Sequence, residues 1–172
     1  MEKAEIIIKN NYNQVKMFVR DLFLKEDTLK MYTKGLIIVE PSFTEMTYKI
    51  GGLNKKHNTR FIILSNHATD MQELEEDTSW GLYVIHPNAY FKVLDILTIN
   101  SKFIIILLHI QAEDKLFFMN NDVSYDQQFI NNSQLLMTSV INTKPIPNID
   151  NDLWARHVNF PIGINDDNSF FK

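Results

Sequence analysis

Apolar residues near the start of the chain fall at Tyr12, Val15, Phe18, Val19, Leu22 and Phe23. Spacings of three and four place them on one stripe of a helix. Asn11, with Gln14 three residues on, can cap its start. The pattern predicts a helix over 11–25, with Lys16, Arg20 and Asp21 largely on the other side. A short helical continuation near Thr28–Thr33 ends at Gly35.

The period then changes. Leu36-Ile37-Ile38-Val39 is a β-branched run closed by Pro41, and Met46, Tyr48 and Ile50 alternate with Glu45, Thr47 and Lys49. Two such runs separated by a few turn-forming residues predict an antiparallel hairpin. Gly51-Gly52 and the polar stretch Asn54–Thr59 predict a loop, and Arg60–Ser65 a strand. Thr69–Asp77 carries a weak helical signal, because Glu75, Glu76 and Asp77 would oppose the dipole at its end. Trp80–His86 reads as a strand ended by Pro87. Tyr90–Ile99 and Lys102–Ile110 read as a second hairpin around Asn100-Ser101. Phe103–Leu108 lacks polar alternation and reads as a central strand with both faces covered. Leu116–Met119 offers one more strand. Ser124 with Gln127 opens a helix over about 126–141. Lys144-Pro145-Ile146-Pro147-Asn148 breaks regular structure, so 143–172 is expected to be an irregular extension packed on the domain.

The expected fold class is therefore α+β, one domain over 1–172. A mostly antiparallel sheet of about five to seven strands would carry an N-terminal helix and the 126–141 helix. Helices on one face would leave the other sheet face open to a partner.

Composition narrows the function classes. The 172 residues include no cysteine, which removes thiol catalysis, thiolate zinc sites and disulfides, and points to a cytoplasmic protein. The first residues lack the apolar core of a signal peptide, and no apolar run is long enough for a membrane span. Net charge is −4, unevenly spread: residues 1–66 hold 11 Lys/Arg against 7 Asp/Glu, and residues 67–172 hold 6 against 14. An acidic surface disfavours nucleic acid and favours a basic protein partner.

Candidate chemistry is sparse. His67, His86 and His109 each stand at or near a strand end, and could hold a metal if the fold brought them together. In an antiparallel meander successive strand ends point to opposite edges, so no metal site is expected. His67 with Asp70 or Glu73 could act as a base and its orienter, but no nucleophile stands at a diagnostic spacing. Gly51-Gly52 satisfies neither the phosphate-loop nor the dinucleotide pattern, and no cofactor is expected. The acidic segment Glu73, Glu75, Glu76 and Asp77, beside Trp80, is the expected partner-binding patch.

These observations favour a non-catalytic binding module, of an immunity-like or antitoxin-like kind, acting on a basic protein through its acidic surface. The alternatives are a small metal-assisted or acid–base hydrolase using His67 with Asp70 or Glu73, and a small-molecule binder. The last would place a pocket lined by Phe18, Phe23, Tyr48, Phe61, Tyr83 and Phe91 between the sheet and the first helix.

Overall fold

In a computed structural model, which describes residues 11, 12, 14–75, 78–120 and 124–172, one eight-stranded sheet organises the chain. Its strands are β1 (Lys16–Leu22), β2 (Ile37–Glu40), β3 (Thr44–Thr47), β4 (Thr59–Ser65), β5 (Thr69–Asp70), β6 (Leu82–Ile85), β7 (Ala89–Ile99) and β8 (Lys102–Ile110). Among the described residues, four helices with a full range accompany them: α1 (Glu26–Leu29), α2 (Lys115–Asn120), α3 (Ser124–Val140) and α4 (Asp152–Val158). The sheet order is β2-β7-β8-β4-β1-β3-β6-β5, and every pairing is antiparallel except β4 with β8. The class is α+β with a mostly antiparallel sheet, as expected, although the strands exceed the expected five to seven.

Over Lys16–Leu22 the predicted 11–25 helix is a strand. Apolar residues at 15, 18, 19, 22 and 23 satisfy a helical spacing, but a strand buried on both faces satisfies them too. Seven residues of β1 pair with β4, and Val19 pairs with Thr47 of β3 on the other side. Phe18 and Leu22 then enter one core, while Val19 is buried from the opposite side of the pleat. Phe23, placed on the apolar stripe by the helical reading, is exposed.

The predicted β2–β3 hairpin does not form. β2 pairs with β7, and β3 pairs with β1 and β6. Three residues, Pro41-Ser42-Phe43, join strands that lie five sheet positions apart. Five spacings in a flat sheet would be ~24 Å, yet four Cα steps reach only ~14 Å. The sheet must curl until its two flanks meet. His86-Pro87-Asn88, also three residues, joins β6 to β7 across the same gap. Asn88 has a positive φ of 62° there, which Asn tolerates. The Phe43 and His86 rings lie 6.1 Å apart and mark the seam.

The second hairpin stands as expected, with Asn100 and Ser101 both in the left-handed region at φ 50° and 63°. Phe103–Leu108 lies in β8 at the centre of the sheet, between β4 and β7. Leu116–Met119, predicted as a strand, falls in α2, with Phe118 as its buried residue. Asp152–Val158, predicted irregular, is helical: the Asn151 side chain accepts the Trp154 backbone N–H at 2.9 Å and caps it. The Thr69–Asp77 segment gives β5 and a one-turn 3-10 helix at Gln72–Leu74, while Glu76 and Asp77 lie outside the described residues.

Neither face of the central sheet is left open. Ile130, Met137, Ile141 and Phe118 cover one side. Leu24, Tyr32, Ile162 and Ile164 belong to the core on the other, so the C-terminal segment supplies core residues. The open sheet face expected for a partner is thus occupied.

Candidate functional site

Beside the seam the curled sheet leaves a cavity of about 560 Å³. Its walls are Arg20 from β1, the Glu40–Phe43 corner after β2, His157 at the end of α4, and the segment from Phe160 to Phe171. Arg20 alternates with Phe18 and Leu22 along β1 and shares their face, which is why a guanidinium is buried here. It is 5% exposed. Its Nε donates to the Val158 carbonyl at 2.9 Å and its Nη2 to the Phe160 carbonyl at 2.7 Å. Among the described residues, Nη1 has no hydrogen-bond partner. Burial lowers the Arg20 pKa to about 10, while Glu40 nearby acts in the opposite direction. The side chain therefore stays cationic at neutral pH.

Two carboxylates are held beside it. Glu40 accepts the backbone N–H of Gly163 at 2.8 Å and that of Ser42 at 3.0 Å, which fixes both its oxygens. Glu45 of β3 meets His157 Nδ1 at 3.0 Å. The His157 ring also lies 4.9 Å from Trp80, which packs at 5.4 Å on Trp154. Phe43 and Phe160 are 59% and 60% exposed, so their rings are open to a planar ligand. The cleft thus combines one buried cation, fixed carboxylates and solvent-facing aromatic rings.

Two of the histidines singled out in the sequence meet, and the third shares their cavity. His67, His86 and His109 line a second cavity of about 440 Å³ on the other side of the seam. The parallel pairing of β4 with β8 puts the ends of those strands together, bringing the His67 and His109 rings to 6.4 Å. No group of three His, Asp or Glu side chains among the described residues is placed to hold a metal. His109 Nδ1 instead shares a 2.8 Å hydrogen bond with Ser65 Oγ, which also accepts the His67 backbone N–H at 3.1 Å. Burial, then the neighbouring His67, lowers the His109 pKa to about 4.

Of the remaining predicted site residues that the structure describes, only Trp80 touches the cleft, through the His157 ring. Asp70 accepts the Tyr83 hydroxyl at 2.9 Å and the Gln72 backbone N–H at 2.9 Å, so it does not orient His67. Glu73 is exposed. Glu75 accepts the Leu82 backbone N–H and so ties the acidic segment to β6. Trp80 is buried against Trp154. Of the aromatics proposed to line a pocket, Phe18, Phe61 and Phe91 fill the core. Sequence reasoning missed Arg20, Glu40, Glu45 and His157. Only Arg20 left a signal: read with a period of two, it lies between two apolar residues of one strand face.

Solved structures share the fold. It resembles the ADP-ribosyltransferase HopU1 of Pseudomonas syringae pv. Tomato DC3000, with a TM-score of 0.50, 18% identity, and coverage of 56% of this chain and 45% of that one. It is similarly close to the type III effector XopAI of Xanthomonas axonopodis pv. citri, with a TM-score of 0.50, 13% identity, and coverage of 58% and 43%. The matched region spans less than half the length of either protein. No family model and no curated protein matches the sequence. At these identities the likeness establishes the shared fold. It overturns the expectation of a non-catalytic, immunity-like binding module, which rested on the uneven charge, the acidic segment beside Trp80 and the lack of a catalytic signature. The described helices include none long and apolar enough to cross a membrane.

Proposed function

We propose that this chain binds an ADP-ribose donor of the NAD type in the Arg20 cleft and transfers ADP-ribose from it. The likeness of its fold to an ADP-ribosyltransferase supports the reaction class. The observation that carries the reading is Arg20, a buried guanidinium on the cleft wall with Nη1 uncommitted to any described residue. A dinucleotide brings a diphosphate, and charge-assisted bonds from guanidinium to phosphate are among the strongest available. Its two planar bases suit the open rings of Phe43 and Phe160. The cavity has the volume of an ordinary small-molecule site.

Transfer breaks the bond between the ribose anomeric carbon and nicotinamide and joins that carbon to an acceptor. Positive charge develops on the sugar in such displacements, and anionic side chains nearby stabilise it. Glu40 and Glu45 supply the negative charge beside the cleft, and Arg20 faces the diphosphate. A second reading, binding without cleavage, is favoured by the commitment of both Glu40 oxygens to backbone N–H groups.

Titration calorimetry with NAD, together with chromatographic detection of released nicotinamide, tests both. Binding with release supports transfer, binding without release supports the second reading, and no binding rejects both. Arg20→Lys is expected to weaken NAD binding by roughly tenfold or more, because one directional charged hydrogen bond is lost while a cation is kept.

A further inference from the structure

We propose that His157 is the general base of this transfer and that Glu45 positions it, an inference that rests on the reading of the cleft given above. His157 stands in the last turn of α4, on the cavity wall that also carries Arg20 and Phe160. Two contacts from different elements fix its ring. Glu45 Oε2 of β3 lies 3.0 Å from Nδ1, and the Trp80 ring lies 4.9 Å from the imidazole. A carboxylate at Nδ1 holds the proton on that nitrogen and leaves the Nε2 lone pair to accept another. This base–orienter pair is the kind of arrangement the sequence suggested for His67 with Asp70 or Glu73, on different residues.

The step balances without a further reactant. The acceptor's lone pair forms a bond to the ribose anomeric carbon. The carbon–nitrogen bond to nicotinamide breaks, and its electron pair leaves on the nicotinamide nitrogen, which becomes neutral. The acceptor's proton passes to His157 Nε2, and the imidazolium formed is stabilised by Glu45 before it releases the proton to water. Glu45 on β3 contacts the ring, Arg20 on β1, Glu40 at the end of β2 and Asp166 on the C-terminal segment line the same cavity, and Arg156 precedes it in the chain. Arg20 and Glu40 oppose one another, which leaves Glu45 as the partner in direct contact.

The test uses the full chain with NAD as donor and water as acceptor. NAD binding and nicotinamide release are followed from acid to mildly alkaline pH in the native protein, His157→Gln and Glu45→Gln. Calorimetric melts establish that each variant folds. His157→Gln is expected to bind NAD with little change in affinity and to lose turnover by roughly a hundred- to ten-thousand-fold. Glu45→Gln is expected to lower kcat by roughly tenfold or more with KM little changed, because the imidazolium loses its partner; a merely structural role would lower the Tm and leave the kcat of the folded protein in place. Native turnover that His157→Gln leaves intact, with the same profile, overturns the role of His157 alone. A native chain that binds NAD without releasing nicotinamide, or does not bind it, overturns the transfer reading and this inference together.

Discussion

Arg20 shows how one side chain changes meaning with its backbone. On a helix it would lie opposite the apolar stripe and face water. On β1 it points the same way as Phe18 and Leu22, and its charge is met by the Val158 and Phe160 carbonyls. Buried charges persist only when their hydrogen bonds are met, so a guanidinium with one nitrogen left over on a cavity wall is a place for an anion. His109 is the opposite case, a buried imidazole kept neutral. Its pKa of about 4 lies below the ordinary value of 6.5, so the unfolded chain takes up a proton there before the folded one does. Its stabilising contribution is complete above about pH 6.5 and is lost as pH falls toward about 4. The loss is on the order of 3 kcal/mol. Urea melts across this range should show that slope in the native chain and a shallower one in His109→Gln, which can still bond to Ser65.

At the scale of elements, β1 and β4 are joined by a buried ion pair as well as by their ladder. Arg60 is fully buried, and its Nε and Nη2 each meet an Asp21 carboxylate oxygen at 2.7 Å, while Nη1 donates to the Gly51 carbonyl at 2.7 Å. Breaking one side of a buried pair leaves an uncompensated charge, so Asp21→Asn should cost about 3–5 kcal/mol in a denaturant melt. Pairing it with Arg60→Met should restore part of that, since the orphaned charge is then gone. The Gly51-Gly52 loop has a packing role of its own. A Cβ on Gly52 would lie 1.7 Å from the Thr143 backbone oxygen, behind α3. Gly52→Ala is therefore expected to destabilise the fold by roughly 1–3 kcal/mol or more, read as a lowered Tm. Sequence reasoning saw these glycines only as a failed nucleotide motif, because spacing reports conformational freedom and not the neighbour that requires it.

Across the whole molecule the decisive feature is the curl of the sheet. Two three-residue links bridge flanks that a flat sheet would separate, and both cavities open beside them. The centre and edges of such a sheet should differ in protection. β4 is buried along its length and pairs on both sides, whereas β5 is an exposed two-residue edge. Hydrogen exchange should find the amides of β4 and β8 slowest and those of β5 and the following 3-10 turn fastest. Equal protection across the sheet would contradict the topology.

The β7–β8 hairpin, the central strand in β8, the β4 strand and the α3 helix were all legible in the sequence. Their signals are local: a two-residue turn, an unbroken apolar run, a period of 3.6. The long-range pairings were not. Whether residues 16–22 wind into a helix or extend depends on β4 and β3 standing ready on either side. Whether Pro41-Ser42-Phe43 closes a hairpin or crosses a seam depends on curvature that no local pattern encodes. The cleft follows the same rule, since Arg20, Glu40, Glu45 and His157 come from four separate stretches and meet only because the sheet folds back on itself. The chain's pattern determined which segments would be apolar and regular; the closure of the sheet decided which of its charges would face one another.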